Sequence, residues 1–223
     1  MALSRRDRLW AVLRGDPVDR PPVNFYEIGG FTVDPGDPDP FNVYNDPSWK
    51  PLLELAENHT DLIRMGNPIQ PFNDKQRSQK AVQVTTKHSG DENSRHTRTT
   101  IRIAGRILTS HQVRNRGVDT TWSLEYLLKS SEDVNAYLQL PDEFFQTNPD
   151  IESLRQQETT LGDKGIVMVD VADPVCHLLD LFGMENFTVF ALTESGLCHQ
   201  LLEKLARHIH ERTETIAREF PGR

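Results

Sequence analysis

The chain has 223 residues, 36% hydrophobic and 26% charged, which suits one or two globular domains and excludes a disordered or fibrous polymer. Lys and Arg number 25 against 33 Asp and Glu, a formal charge of −8, which argues against a nucleic-acid partner held by phosphate neutralisation. No apolar run approaches the ~18 residues of a membrane helix, and Cys176 and Cys198 cannot build a disulfide framework, so a cytoplasmic protein is expected.

Residues 4–15 predict a short helix, with Ser4 as N-cap, Asp7 three residues on, and Leu9, Val12 and Leu13 as its apolar face. The three N-terminal arginines precede no long apolar stretch, so no secretory signal is expected. Gly15 and Pro17 end the helix, and the prolines at 17, 21 and 22 keep the connector extended. Residues 23–28 predict a strand closed by Gly29 and Gly30, and the prolines of residues 34–40 forbid regular structure. Asp46-Pro47 predicts the start of a helix buried through Trp49, Leu52, Leu53 and Ala56, followed by a strand over residues 61–67.

Residues 74–121 differ. Residues 82–86 and 97–103 alternate with period two, and residues 107–113 predict a further strand, so two or three antiparallel strands form an inserted β excursion. Its many Arg and Lys residues, among them Arg98 and Arg102, are expected to line a solvated face. Helices follow at Ser130 with Asp133 and over residues 150–161. The apolar run 166–171 predicts a strand covered on both faces. Asp173-Pro174 caps the next helix, residues 184–193 continue helical, and a long helix runs from Ser195 to Phe220.

Helix–strand alternation predicts an α/β fold, a partial TIM (β/α)8 barrel of about the first three βα units carrying the excursion. A barrel of this kind needs ~250 residues, so part of the fold is expected to lie outside this sequence. Parallel α/β units bind ligands at the carboxyl ends of their strands. That rule singles out Tyr26, Glu27, Asn67 and Asp170 as candidate substrate-binding residues. No nucleophile–base pair can be picked out.

Cys176-His177 and Cys198-His199 have ligand chemistry but no zinc-motif spacing. Adjacent helical residues point ~100° apart, so no metal site is expected there. His199, His208 and His210, with Glu203 and Glu211, predict a solvated helix face.

Three patches together resemble the uroporphyrinogen decarboxylase family. They are Arg5-Arg6-Asp7-Arg8-Leu9-Trp10-Ala11-Val12-Leu13-Arg14-Gly15 with Val18-Asp19-Arg20-Pro21-Pro22-Val23, the segment 122–134 that includes Leu128-Lys129-Ser130-Ser131-Glu132-Asp133, and residues 173–187. The resemblance implies the N-terminal portion of a (β/α)8 barrel, residues 1–223 forming a single incomplete domain. It implies chemistry on a tetrapyrrole or corrinoid-type substrate. In the decarboxylase an Arg-Gln-Ala-Gly-Arg loop grips substrate carboxylates. Here Tyr26-Glu27-Ile28-Gly29-Gly30-Phe31 stands in that place, and Asn67 stands near the position of an Asp that contacts pyrrole nitrogens.

The resemblance therefore implies methyltransferase-like chemistry, with zinc and a corrinoid as cofactors of a full-length protein. The zinc-binding His-x-Cys of that branch does not occur in this sequence. Two other expectations stand beside it: uroporphyrinogen decarboxylase activity in porphyrin biosynthesis, and a truncated, catalytically silent chain. The implied partners are the small-molecule ligand, a corrinoid protein and a second copy of the chain, with no nucleic acid and no membrane.

Overall fold

The computed structural model describes residues 2–25, 36–68, 74–78 and 81–221. Its helices are α1 (Arg5–Arg14), α2 (Lys50–His59), α3 (Asp74–Arg77), α4 (Ser131–Leu138), α5 (Ile151–Leu161), α6 (Pro174–Phe182), α7 (Met184–Thr193) and α8 (Ser195–Glu219). Its strands are β1 (Leu62–Gly66), β2 (Val82–Gly90), β3 (Ser94–Ile103), β4 (Arg106–Asn115), β5 (Thr121–Glu125) and β6 (Gly165–Val169). The chain forms two compact units, one of residues 1–69, 149–170 and 216–223, the other of residues 70–148 and 171–215. It is a mixed α/β protein.

In the first unit, Ser4 accepts from the Asp7 N–H to start α1, and Gly15 at φ +75° ends it. The buried side of α1 is not the expected one. Leu9 is buried, but Val12 and Leu13 are exposed and Arg8 is 5% exposed. The Arg8 guanidinium has anionic partners inside, whereas Val12 and Leu13 are not covered by any of the described residues. Residues 23–25 form no regular strand, and residues 26–28 lie outside the described residues.

β1 and β6 pair in parallel, from Leu62 opposite Gly165 to Gly66 opposite Val169. Close approach at the start of the pair requires glycine. A Cβ on Gly165 would lie 1.8 Å from the Leu62 carbonyl oxygen. Leu62, Ile151, Leu154, Leu161, Val167, Ile216 and Phe220 form the core of this unit. The strand over residues 166–171 was expected to be covered on both faces. Instead Met168 is exposed, because the strand alternates and only one face meets the core, and Val171 is exposed beyond the last strand residue, Val169.

In the second unit, β2, β3, β4 and β5 form an antiparallel meander in chain order. The excursion thus has four strands. β5 is the addition, and its Trp122 and Leu124 are both exposed. The β3–β4 turn is Ala104-Gly105, with φ of +51° and +76°. Positive φ at both positions marks the mirror-image turn that suits the right-handed twist of a hairpin. Val82, Val84, Ile101, Ile103 and Leu108 face Leu128, Val134, Tyr137, Leu178, Phe182, Leu201 and Leu205 in one core. Each such side chain contributes roughly 1.5–3 kcal/mol when fully buried. Capping follows the sequence: Ser130 accepts from the Asp133 N–H, Asp150 from Ser153 and Asp173 from Val175. No single helix among the described residues is long and apolar enough to cross a membrane.

Candidate functional site

Parallel pairing brings the carboxyl ends of β1 and β6 together. The Asp170 N–H donates to the Gly66 carbonyl at 3.1 Å, so Asn67 and Asp170 each follow the last residue of neighbouring strands. Both are exposed. The placement gives one carboxamide, able to donate and accept, beside one carboxylate, able only to accept. Such a pair can orient a polar ligand. Tyr26 and Glu27 lie outside the described residues.

The segment that leads toward Tyr26 is anchored by charge. Asp61, fully buried just before β1, accepts from Arg8 Nη1 at 2.6 Å, Arg20 Nη1 at 2.7 Å, Arg20 Nη2 at 3.0 Å and the Val23 N–H at 2.9 Å. The Asp61 N–H donates back to the Val23 carbonyl at 2.7 Å. Arg8 also grips Asp19 with two parallel bonds, Nε at 2.7 Å and Nη2 at 2.9 Å. Burial raises the Asp61 pKa, but hydrogen bonds from Arg20, the Val23 N–H and Arg8 outweigh it and hold the carboxyl below its ordinary value. The hydrogen bond from Arg8 likewise drives Asp19 well below the carboxylate range. Arg8, Asp19, Arg20 and Asp61 thus fix residues 19–23 beside the start of β1.

A polar cleft of about 360 Å³ lies elsewhere in this unit, lined by Glu57, Arg64, Gln157 and Lys164 among others. Arg64 and Lys164 both pair with Glu57, the latter at 3.1 Å. Sequence reasoning passed over these three residues, since none sits in a motif. Leu161 and Lys164 line it just ahead of β6, the end opposite Asn67 and Asp170. Conserving fold rather than chemistry is the usual work of that end of a parallel unit.

The remaining candidates separate. Asp173 caps α6. Cys176 is exposed, and Cys198 is buried in the core of the second unit, where burial raises its thiol pKa. His199 and His210 are exposed as expected, but His208 is not. Its ring stacks on Phe145 at 5.1 Å and 12°, because apolar Phe145 faces that side of α8. Among the described residues, no group of three or more His, Cys, Asp or Glu could hold a metal ion. Comparison with protein-family models, curated proteins and solved structures finds no match for this chain.

Proposed function

We propose that this chain is the N-terminal part of a uroporphyrinogen decarboxylase-like (β/α)8 barrel that offers a tetrapyrrole or corrinoid-type ligand the carboxyl ends of β1 and β6. The family reading rests on the resemblance of the three sequence patches, and the ligand-binding role rests on one observation, Asn67 beside Asp170 at the carboxyl ends of two paired strands. Residues 19–23 are held beside the start of β1 by Asp61, on the approach to the sequence-predicted candidates Tyr26 and Glu27. Methyltransferase-like chemistry is favoured over decarboxylation, because residues 26–31 carry no arginine for substrate carboxylates.

In that branch zinc activates a thiol acceptor and the corrinoid carries the methyl group. The residues of this chain do not fit the zinc site: the sequence has no His-x-Cys, and the described residues hold no three-ligand cluster. Ligand orientation is the role left to Asn67 and Asp170.

The test is a visible-absorption titration of the chain with hydroxocobalamin and, separately, with a porphyrin. Band shifts with the corrinoid, weakened about tenfold or more by Asn67→Ala with Asp170→Ala, are expected. Binding of neither pigment overturns the proposal. Release of carbon dioxide from uroporphyrinogen would overturn the methyltransferase branch in favour of the decarboxylase.

A further inference from the structure

On the antiparallel sheet, His96 of β3 stands opposite Val113 of β4, and Arg98 stands opposite His111. His96 and His111 are therefore diagonal neighbours on one face, the face turned away from Val84, Ile101 and Leu108. Diagonal positions lie ~7–8 Å apart at the backbone, within reach of two imidazoles. The rings converge: His96 Nδ1 and His111 Nε2 are 2.9 Å apart, with ring centroids at 5.1 Å and planes 34° apart.

We propose that His96 and His111 form a two-imidazole site for a divalent transition-metal ion of the Cu2+, Ni2+ or Zn2+ type, with water completing the coordination. Imidazole is the ligand that suits these ions. Two nitrogens ~2.0–2.1 Å from one ion and ~90° apart, as in a tetragonal Cu2+ or Ni2+ site, are themselves about 2.9 Å apart, the distance at which the two rings hydrogen-bond here, whereas tetrahedral Zn2+ needs them to part to ~3.3 Å. The opposite ring nitrogen of His96 lies 3.4 Å from the Ser94 hydroxyl, an outer partner that sets ring orientation.

The surroundings fit a cation in balance. Metal binding uses the unprotonated ring nitrogen of each imidazole, and the two nitrogens that approach each other are the ones offered. Glu125 of β5 stands opposite His111 and supplies negative charge. Glu125 accepts from the Thr109 hydroxyl at 2.6 Å and pairs with Lys129 at 3.0 Å, so only part of its charge is left for an ion. Arg98 faces the same place and opposes a cation, so the affinity expected is micromolar rather than that of a closed structural zinc site. An ion held between β3 and β4 would clasp the central hairpin of the sheet and stabilise the folded chain by mass action.

The experiment titrates the tag-free chain with Ni2+ and Cu2+ at pH 7.5 by calorimetry and visible absorption, with Tm followed in parallel. One equivalent is expected to bind, raise Tm and be released by chelator. His96→Gln and His111→Gln should each weaken binding tenfold or more and abolish the metal-dependent rise in Tm. His96 is only half-buried, so its variant keeps the test alive if the His111 variant unfolds. His210→Ala, on exposed α8, should change nothing. Absence of binding below ~100 μM, or unchanged binding in both Gln variants, overturns the proposal, and so does loss of binding in His210→Ala.

Discussion

Arg8 and Asp61, 53 residues apart in the chain, meet at 2.6 Å with both side chains nearly or fully shielded from water. Arg20 closes on the same carboxylate from the other side. Removing the shared anion leaves Arg8 buried beside Arg20 without it. Breaking a buried pair from one side typically costs about 3–5 kcal/mol. Asp61→Asn is therefore expected to lower the free energy of unfolding by an amount of that order, read as a lower urea midpoint at unchanged slope. A loss under ~1 kcal/mol would show that the network is not what anchors residues 19–23.

The same network sets an acid sensitivity. Asp19 and Asp61 both have folded pKa values below their ordinary ones. A depressed carboxyl contributes stability that is complete above the unfolded carboxylate range, about pH 4, and is lost as pH falls through the folded value. The parent protein should lose stability steeply below pH 4, and Asp61→Asn should do so less steeply. Parallel acid-unfolding curves would contradict this.

Gly165 is limited by space, not by backbone conformation. Its φ of 174° suits any residue, yet a Cβ would strike the Leu62 carbonyl oxygen at 1.8 Å and the Leu62 Cβ at 2.8 Å. Gly165→Ala should force β1 and β6 apart and cost several kcal/mol, an effect of the overpacking kind (~1–3 kcal/mol or more). Hydrogen exchange should show the β1 and β6 amides losing protection while β3 keeps its own. Unchanged β1 protection would refute the close-approach account.

Ala104 is limited the other way. It alone among the described non-glycine residues has positive φ, at +51°. An L-residue there costs ~1–2 kcal/mol, and Asn tolerates the conformation better than Ala. Ala104→Asn is expected to raise Tm, corresponding to ~0.5–1 kcal/mol, and Ala104→Val to lower it. Equal Tm values for the two variants would rule this out.

Lys204 acts as a cap in the second unit. Its Nζ donates to the Leu138 carbonyl at 3.1 Å and the Leu140 carbonyl at 2.7 Å, beyond the end of α4, and sits 5.1 Å from the Phe145 ring centre. Lys204→Met keeps the apolar stem and removes the donor. The expected cost is ~1–3 kcal/mol for carbonyls left unpaired, read as a lower thermal midpoint. Full stability in that variant would mean water replaces the amine at no loss.

Local signals in the sequence carried far, and long-range partners did not. Ser4, Ser130 and Asp173 announced three helix starts, since a cap and its N–H lie within three residues. Alternation announced β2 and β3, and residues 107–113 were expected as a further strand, which is β4. The inward turn of Arg8 was illegible because its anion Asp61 lies 53 residues on. β5 was passed over although residues 121–125 alternate polar and apolar, and the apolar pair it offers, Trp122 and Leu124, is exposed. His208 passed for a surface residue because nothing beside it in α8 shows that Phe145 covers it. Asn67 and Asp170 were legible as strand ends, but their adjacency needed the β1–β6 register.

The two sheets also differ in how far the chain must travel to make them. The meander joins each strand to the next, whereas β1 and β6 are roughly a hundred residues apart, a separation that slows closure. The order of assembly follows: hairpins first, parallel pair last. Pulse-labelled refolding should protect the amides of β3 before those of β1, so any premature exposure to proteases falls on the strands that flank Asn67 and Asp170.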